Sequence, residues 1–177
     1  MTVSATPVAT SAIASQKDQF LRTFAHEVAT TLKVLRAYPP DMPGLQPHAK
    51  CKTARDLAWI FVIEQALGLK AITEGLDWSR PSTTPPAPSS MAEVITAFEQ
   101  AADQLQGQVS RMTDAQLLET VQFPSGPGTM KDWPKIEFLW FLLSDQIHHR
   151  GQFSVYLRIA GGKLPSIYGP TADEPWF

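Results

Sequence analysis

The sequence predicts an all-α fold, a four-helix bundle of up-and-down helices joined by long proline-rich loops. Most of the 15 prolines fall in clusters and leave four proline-free stretches, at residues 11–37, 53–75, 90–111 and 135–160. Proline ends or kinks a helix, so these stretches are the candidate helices. Apolar residues recur in the first stretch at spacings of three and four, the period of an α-helix. We find no sustained alternation of apolar and polar residues, which would indicate strands.

The second and third stretches begin at residues that suit helix N-termini. Thr53 is a candidate N-cap for the second helix, and Ser89 or Ser90 for the third. Glu93 would complete a capping box with Ser90, because its side chain can reach back to the N-cap backbone.

The fourth stretch carries signals at both of its ends. Pro134 suits the first turn of the helix, where its missing N–H is not needed. Gly161 and Gly162 can close the helix in a left-handed conformation. Before this helix, Thr113 and Asp114 can start one further short turn.

The chain is long enough for one domain of ordinary size. We expect a disordered tail at residues 1–12 and a single domain at 13–177, which ends in a C-terminal tail at 162–177. Residues 79–90 are rich in Ser, Thr and Pro, and we expect them to form a loop between two helices. No Lys or Arg precedes Lys17, so the basic start of a secretory signal is lacking, and we expect a cytoplasmic protein.

Composition excludes several classes of function. With 15 Lys and Arg against 17 Asp and Glu, the chain has no broad basic field for nucleic acid. No apolar run approaches the ~20 residues that cross a membrane, and the longest is interrupted at Glu64. The single cysteine, Cys51, excludes an intramolecular disulfide and a cysteine-rich zinc site. No activating pattern surrounds Cys51, and we assign it no catalytic role.

Glu64 interrupts an apolar face of the predicted second helix. It shares one stripe of this helix with Leu57 and Phe61, where an unpaired carboxylate would be unfavourable. Two interpretations remain open from the residues: a buried carboxylate paired with an arginine or a backbone donor, and a metal ligand.

The predicted fourth helix is apolar on two sides and polar at the middle of one of them. We expect its second apolar side to meet another subunit or the C-terminal tail. Asp145, His149 and Gln152 lie close together at spacings of four and three. An Asp and a His one turn apart can both bind a metal, or can form an ordinary structural hydrogen bond. His148 offers a rival partner for Asp145.

Several segments together resemble the DinB/YfiT-like family. The run DQIHHRGQ at 145–152 and the Gly- and Pro-containing tail at 161–170 are similar to that family's last helix, which carries His-x-x-x-His followed by Arg-Gly-Gln. The segment PHAK at 47–50, before a helix that opens with TARDLA, agrees in order. The resemblance covers essentially the whole chain from the first helix onward.

The resemblance implies a four-helix bundle, often a homodimer, with a divalent metal held by three histidines. His149 matches the second histidine of the last helix, because it directly precedes Arg-Gly-Gln. The first of that pair falls on Asp145, and the histidine of the second helix falls near Ile60, one turn before Glu64. The implied ligand set is therefore Glu64, Asp145 and His149, for Zn, Ni, Mn or Fe.

The remaining candidates are predicted to have structural roles. We expect His26 to be partly exposed and His48 to cap or pack within its loop. His148 would fix the C-terminal tail or a partner subunit. Arg150 would form a buried salt bridge in preference to binding a substrate anion.

Three functions are consistent with such a site. Characterised members of the family include thiol-dependent S-transferases, so the resemblance implies transfer of a small thiol onto an electrophilic small molecule. A metal-bound water would instead support hydrolysis. The third possibility is a non-enzymatic dimeric bundle with a degenerate metal site, in which the three residues form a buried hydrogen-bond network. We expect a homodimer, and no nucleic acid or membrane as a partner.

Overall fold

The computed structural model describes residues 14–79 and 84–177. In these ranges the chain forms five helices and one two-stranded sheet: α1 Gln16–Arg36, α2 Ala54–Thr73, α3 Met91–Arg111, α4 Asp114–Leu118, β1 Thr120–Gly126, β2 Thr129–Pro134 and α5 Lys135–Ile159. The four proline-free stretches are thus helical, and α4 is the predicted short turn. The tail predicted at 1–12 lies outside the described residues, as does part of the loop at 79–90.

The helix termini follow the predicted chemistry. The Thr53 side chain accepts a hydrogen bond from the Asp56 amide, and Ser90 forms the capping box with Glu93. At the end of α5, Gly161 adopts a left-handed φ of 77°. The Gly162 amide then donates to the Leu157 carbonyl at 2.9 Å, which closes the last turn as a Schellman motif.

Each long helix packs against two others. Helix α1 contacts α3 and α5, and α2 contacts the same two helices. Buried aromatic rings of α2, α3 and α5 meet between them, with Phe61 5.9 Å from Phe98 and 6.4 Å from Phe153 between ring centroids. These contacts place α2 and α5 side by side. The up-and-down arrangement of the four helices in a bundle stays a prediction.

Both apolar sides of α5 are covered within one chain. Phe138 and Leu142 are buried on one side, and Leu139 and Leu143 on the other. Ile136, Leu139 and Leu143 of the second side pack against α1, α3 and α4, and the sheet covers Phe138 and Leu142 of the first side. The predicted contact of the second side with the C-terminal tail is present at Leu157, whose cluster includes Leu164 and Ile167. The homodimer itself stays a prediction.

The prediction of an all-α chain is wrong between α4 and α5, where β1 and β2 form an antiparallel hairpin. Val121 is buried opposite Trp133, and the Phe123 ring lies 4.8 Å from the Phe138 ring. Gly128, with a φ of 68°, supplies the turn that joins the strands. The alternation of Val121 and Phe123 is too short to stand out beside the prolines of this segment.

No helix within the described ranges is long and apolar enough to cross a bilayer.

Candidate metal centre

Helices α2 and α5 bring three potential ligands together. Glu64 lies in the middle of α2, while Asp145 and His149 lie one turn apart on the face of α5 that meets α2. One ligand atom from each residue lies within 4.8 Å of the others. The three residues of the predicted site therefore converge. Metal binding by these residues stays a prediction.

The spacing of the polar atoms suits a shared ion. His149 Nδ1 lies 2.9 Å from Glu64 Oε1 and 3.8 Å from Asp145 Oδ1. Two ligands held at about 2.1 Å from one ion, at the tetrahedral angle, would be about 3.4 Å apart. The observed distances lie on either side of that value, so small side-chain adjustments would accommodate an ion.

Burial falls steadily from Glu64 to Asp145. The Glu64 side chain is 5% exposed, His149 18% and Asp145 41%. Glu64 Oε2 is buried and has no hydrogen-bond partner among the described residues. A buried carboxylate oxygen without a partner is unfavourable, so this atom is the one that a cation would satisfy. The site is thus closed on the α2 side and open to solvent at Asp145.

Electrostatics leave a proton near the site at neutral pH. Burial raises the pKa of Glu64 from its ordinary 4.5 to about 7. The hydrogen bond and charge of His149 oppose this rise, whereas the charge of Asp145 and the hydrogen bond that a protonated Glu64 shares with it add to the rise. The pKa of His149 is raised in turn, chiefly by its hydrogen bond to Glu64. A cation would displace this proton, because metal ligands bind in their deprotonated forms.

Gln152 does not join the site that the sequence predicts. It is exposed, and its Nε2 lies 2.7 Å from Nε2 of His148. His148 is also exposed, and within the described residues it contacts Gln152 in place of the C-terminal tail. The physical reason is helical geometry, since both side chains project from α5 on its solvent side, away from Glu64. The alternative predicted for His148, a contact with a partner subunit, stays a prediction.

The other polar candidates have structural contacts. Arg150 forms the predicted buried salt bridge, at 2.7 Å from Glu27 Oε2. His48 accepts a hydrogen bond from the Lys50 amide within its loop. His26, which we expected to be partly exposed, is exposed on α1, and Cys51 is an exposed free thiol.

Sequence reasoning missed a buried polar group behind the ligands. Gln65 and Gln146 are fully buried and bonded to each other, and Thr31 of α1 joins them. The available signal was the presence of a glutamine directly after Glu64 and another directly after Asp145, on helices that are otherwise mostly apolar.

Sequence comparison relates the chain to one family and to a protein of similar length. The DinB family model matches residues 1–175. The uncharacterized protein YrdA of Bacillus subtilis (strain 168) is 29% identical over 158 residues, which cover 89% of this chain and 90% of YrdA.

Solved structures show the same fold. A DinB-like protein from Bacillus cereus ATCC 10987 aligns with a TM-score of 0.68 and 25% identity, over 84% of this chain and 95% of that one. The DinB-like protein YjoA from Bacillus subtilis aligns with a TM-score of 0.65 and 17% identity, over 84% and 97%. These matches confirm the resemblance seen in the sequence: the chain belongs to the DinB family.

Proposed function

We propose that Glu64, Asp145 and His149 bind a divalent metal ion, and that the protein uses it to transfer a small thiol onto an electrophilic small molecule. The observation that carries the proposal is the buried, unpartnered Oε2 of Glu64 beside His149 and Asp145. An oxygen in this position is expected to have a cationic partner, since burial without one is unfavourable.

The donor set fits a first-row divalent ion. Two carboxylates and one imidazole suit Zn, Mn, Fe or Ni, and the set contains no thiolate that would favour Cu(I) or an iron–sulfur cluster. Three protein ligands leave coordination positions for a further molecule. When bound, such an ion lowers the pKa of a coordinated thiol, so that the reactive thiolate exists at neutral pH.

The residues around the site favour entry from the side of Asp145. Glu64 anchors the closed end in the core, and the 41% exposure of Asp145 leaves the other end open. Phe141, one turn before Asp145, is 37% exposed, and its ring lies 5.7 Å from Phe123 and 5.5 Å from Trp133. These rings offer an apolar surface for an organic electrophile.

The expected reaction is a substitution that needs no oxidant or reductant. The thiol sulfur forms a bond to the electrophilic carbon, and the leaving group departs with its bonding electron pair. The S–H proton passes to solvent at the open side of the site. Phe61, Phe138 and Phe153 of α2 and α5 are fully buried. They support the site from behind and do not contact a substrate.

Adjacent histidines provide a matched test. Purified protein is loaded with Zn, Mn or Ni and mixed with cysteine or glutathione and the electrophile monochlorobimane. We expect thiol conjugation that chelator abolishes, that His149→Ala abolishes, and that His148→Ala retains, because His148 lies on the exposed side. Conjugation at equal rates with and without metal would contradict the proposal.

One contact favours a non-enzymatic alternative. The 2.9 Å hydrogen bond between His149 and Glu64 satisfies two of the polar atoms without any ion. Under this alternative the three residues stabilise the interface of α2 and α5, and wild-type protein would bind no divalent metal.

Hydrolysis is a second alternative, and it would use the same metal site as thiol transfer. Metal-dependent cleavage of ester substrates, without conjugation of thiols, would support a hydrolase.

A further inference from the structure

A continuous network of buried polar side chains crosses the helices behind the candidate ligands. The Gln65 amide donates to Gln146 Oε1, which connects α2 to α5. Gln146 Nε2 donates to the Thr31 hydroxyl at 3.1 Å, and Arg150 Nη1 donates to the same hydroxyl at 3.3 Å. Thr31 thereby ties α1 to two turns of α5. Because Gln65, Gln146, Thr31 and Arg150 are all buried, none of these bonds is readily replaced by water.

The network ends in the C-terminal segment. Arg150 forms its salt bridge with Glu27 of α1, and both side chains are buried. The Tyr168 hydroxyl donates to Glu27 Oε2 at 2.8 Å and accepts from Arg150 Nη2. The C-terminal segment is therefore joined to the same buried contacts as α1 and α5.

Each candidate ligand is followed in the chain by a member of this network. Gln65 follows Glu64, Gln146 follows Asp145, and Arg150 follows His149. Successive residues of a helix project about 100° apart, so the ligands face one another while their neighbours face other elements. A rotation or slip of α2 or α5 that moved a ligand would also break the hydrogen bonds of its neighbour.

We propose that this network positions the metal ligands, with the Thr31 hydroxyl as its central acceptor. The inference rests on the proposed metal site. Apolar side chains pack in many near-equivalent ways, whereas a buried donor must meet its acceptor in one arrangement. Thr31 is the informative member, because α1 carries no candidate ligand and the Thr31 hydroxyl reaches α5 through these hydrogen bonds.

Two neighbouring buried threonines of α1 allow a matched test. Thr31→Val removes the hydroxyl that Gln146 and Arg150 share, whereas Thr31→Ser keeps it. Thr30→Val is the control, because among the described residues the Thr30 hydroxyl bonds only the His26 carbonyl of its own helix, at 2.8 Å. The dissociation constant for Zn and the visible absorption of the Co-loaded protein are measured, with thermal unfolding in parallel.

We expect Thr31→Val to weaken Zn binding roughly 2- to 30-fold and to change the absorption spectrum of the Co-loaded protein. An effect of this size is typical of residues that are coupled to a binding site without contacting its ligand. Thr31→Ser and Thr30→Val should remain within about twofold of wild type. Wild-type affinity in Thr31→Val would overturn the inference while leaving the metal site intact. Equal weakening in Thr30→Val would also overturn it, since a general loosening of α1 would then explain the effect.

A second pair of variants covers the possibility that Thr31→Val does not fold. Tyr168→Phe removes one hydroxyl from the exposed end of the network. Tyr38→Phe removes a hydroxyl that, within residues 14–79 and 84–177, bonds only the Met42 carbonyl. We expect weaker Zn binding in Tyr168→Phe than in Tyr38→Phe, and equal affinities would count against the inference. Wild-type protein that binds neither Zn nor Co would refute the proposed metal site and, with it, any positioning role.

Discussion

Replacing Glu64 by glutamine should make the metal-free protein more stable, and more so as the pH rises. Burial raises the pKa of Glu64 to about 7 in the folded chain, against an ordinary value of 4.5. The folded chain then holds the proton more tightly than the unfolded chain. The corresponding contribution to stability is present at low pH and is lost as the pH rises through about 7.

The size of the effect follows from this shift. One pKa unit corresponds to about 1.4 kcal/mol, so ionising Glu64 in the folded chain costs about 3 kcal/mol near pH 8. The same linkage gives about 1 kcal/mol near pH 5, where the carboxyl of the folded chain stays protonated. The amide of glutamine can keep the hydrogen bond to His149 and cannot ionise. The raised pKa of His149 depends mainly on Glu64, and it shifts stability in the same direction with pH.

Urea unfolding in the presence of chelator, at several pH values between about 5 and 8, measures this difference. The control is Glu99→Gln, because Glu99 is at the surface and paired with Arg36. Its free energy of unfolding should differ from wild type by no more than about 0.5 kcal/mol across this range. A Glu64→Gln variant that is less stable than wild type near pH 8, or equally stable at every pH, would refute the reasoning from burial.

Three further substitutions have defined outcomes. Asp145→His should retain Zn binding in a calorimetric titration, because Asp145 lies at the open edge of the site and the family resemblance implies a histidine at this position; loss of binding would contradict this. Arg150→Met should lower the free energy of unfolding in urea by about 3–5 kcal/mol, since it leaves Glu27 buried without its positively charged partner; a neutral effect would contradict it. Gly162→Ala should lower the free energy of unfolding by about 1–3 kcal/mol, because the added carbon would overlap Leu157; unchanged stability would show that this turn relaxes freely.

The sequence was most informative where local rules decide the structure. Proline placement and capping residues located the long helices, with Thr53 and Ser90 at the predicted N-caps and Gly161 at the predicted left-handed position. These features depend on contacts within a few residues, so they can be read from neighbouring positions. The hairpin after α4 was missed because its strands are short and only Val121 is buried in β1.

The site could be predicted only in part, because spacing along a helix decides neither the direction of every side chain nor the contacts between distant residues. Helical spacing put Asp145 and His149 on one face, the apolar stripe of the second helix singled out Glu64, and the family resemblance joined the three in one ligand set. The same spacing wrongly included Gln152, since a spacing of three from His149 does not decide which way a side chain at the edge of a face turns. The network through Thr31 joins α1 to α5 across 115 positions of the chain, and no local pattern reveals such a pairing.

Metal analysis of protein purified without a nickel column tests the central claim most directly. Inductively coupled plasma mass spectrometry should find about one divalent ion per chain, as three converging ligands predict. His149→Ala should lose the ion, and His148→Ala should keep it. Wild-type protein that carries no divalent metal, and that binds none when titrated with Zn, Mn, Fe and Ni near pH 8, would contradict the account.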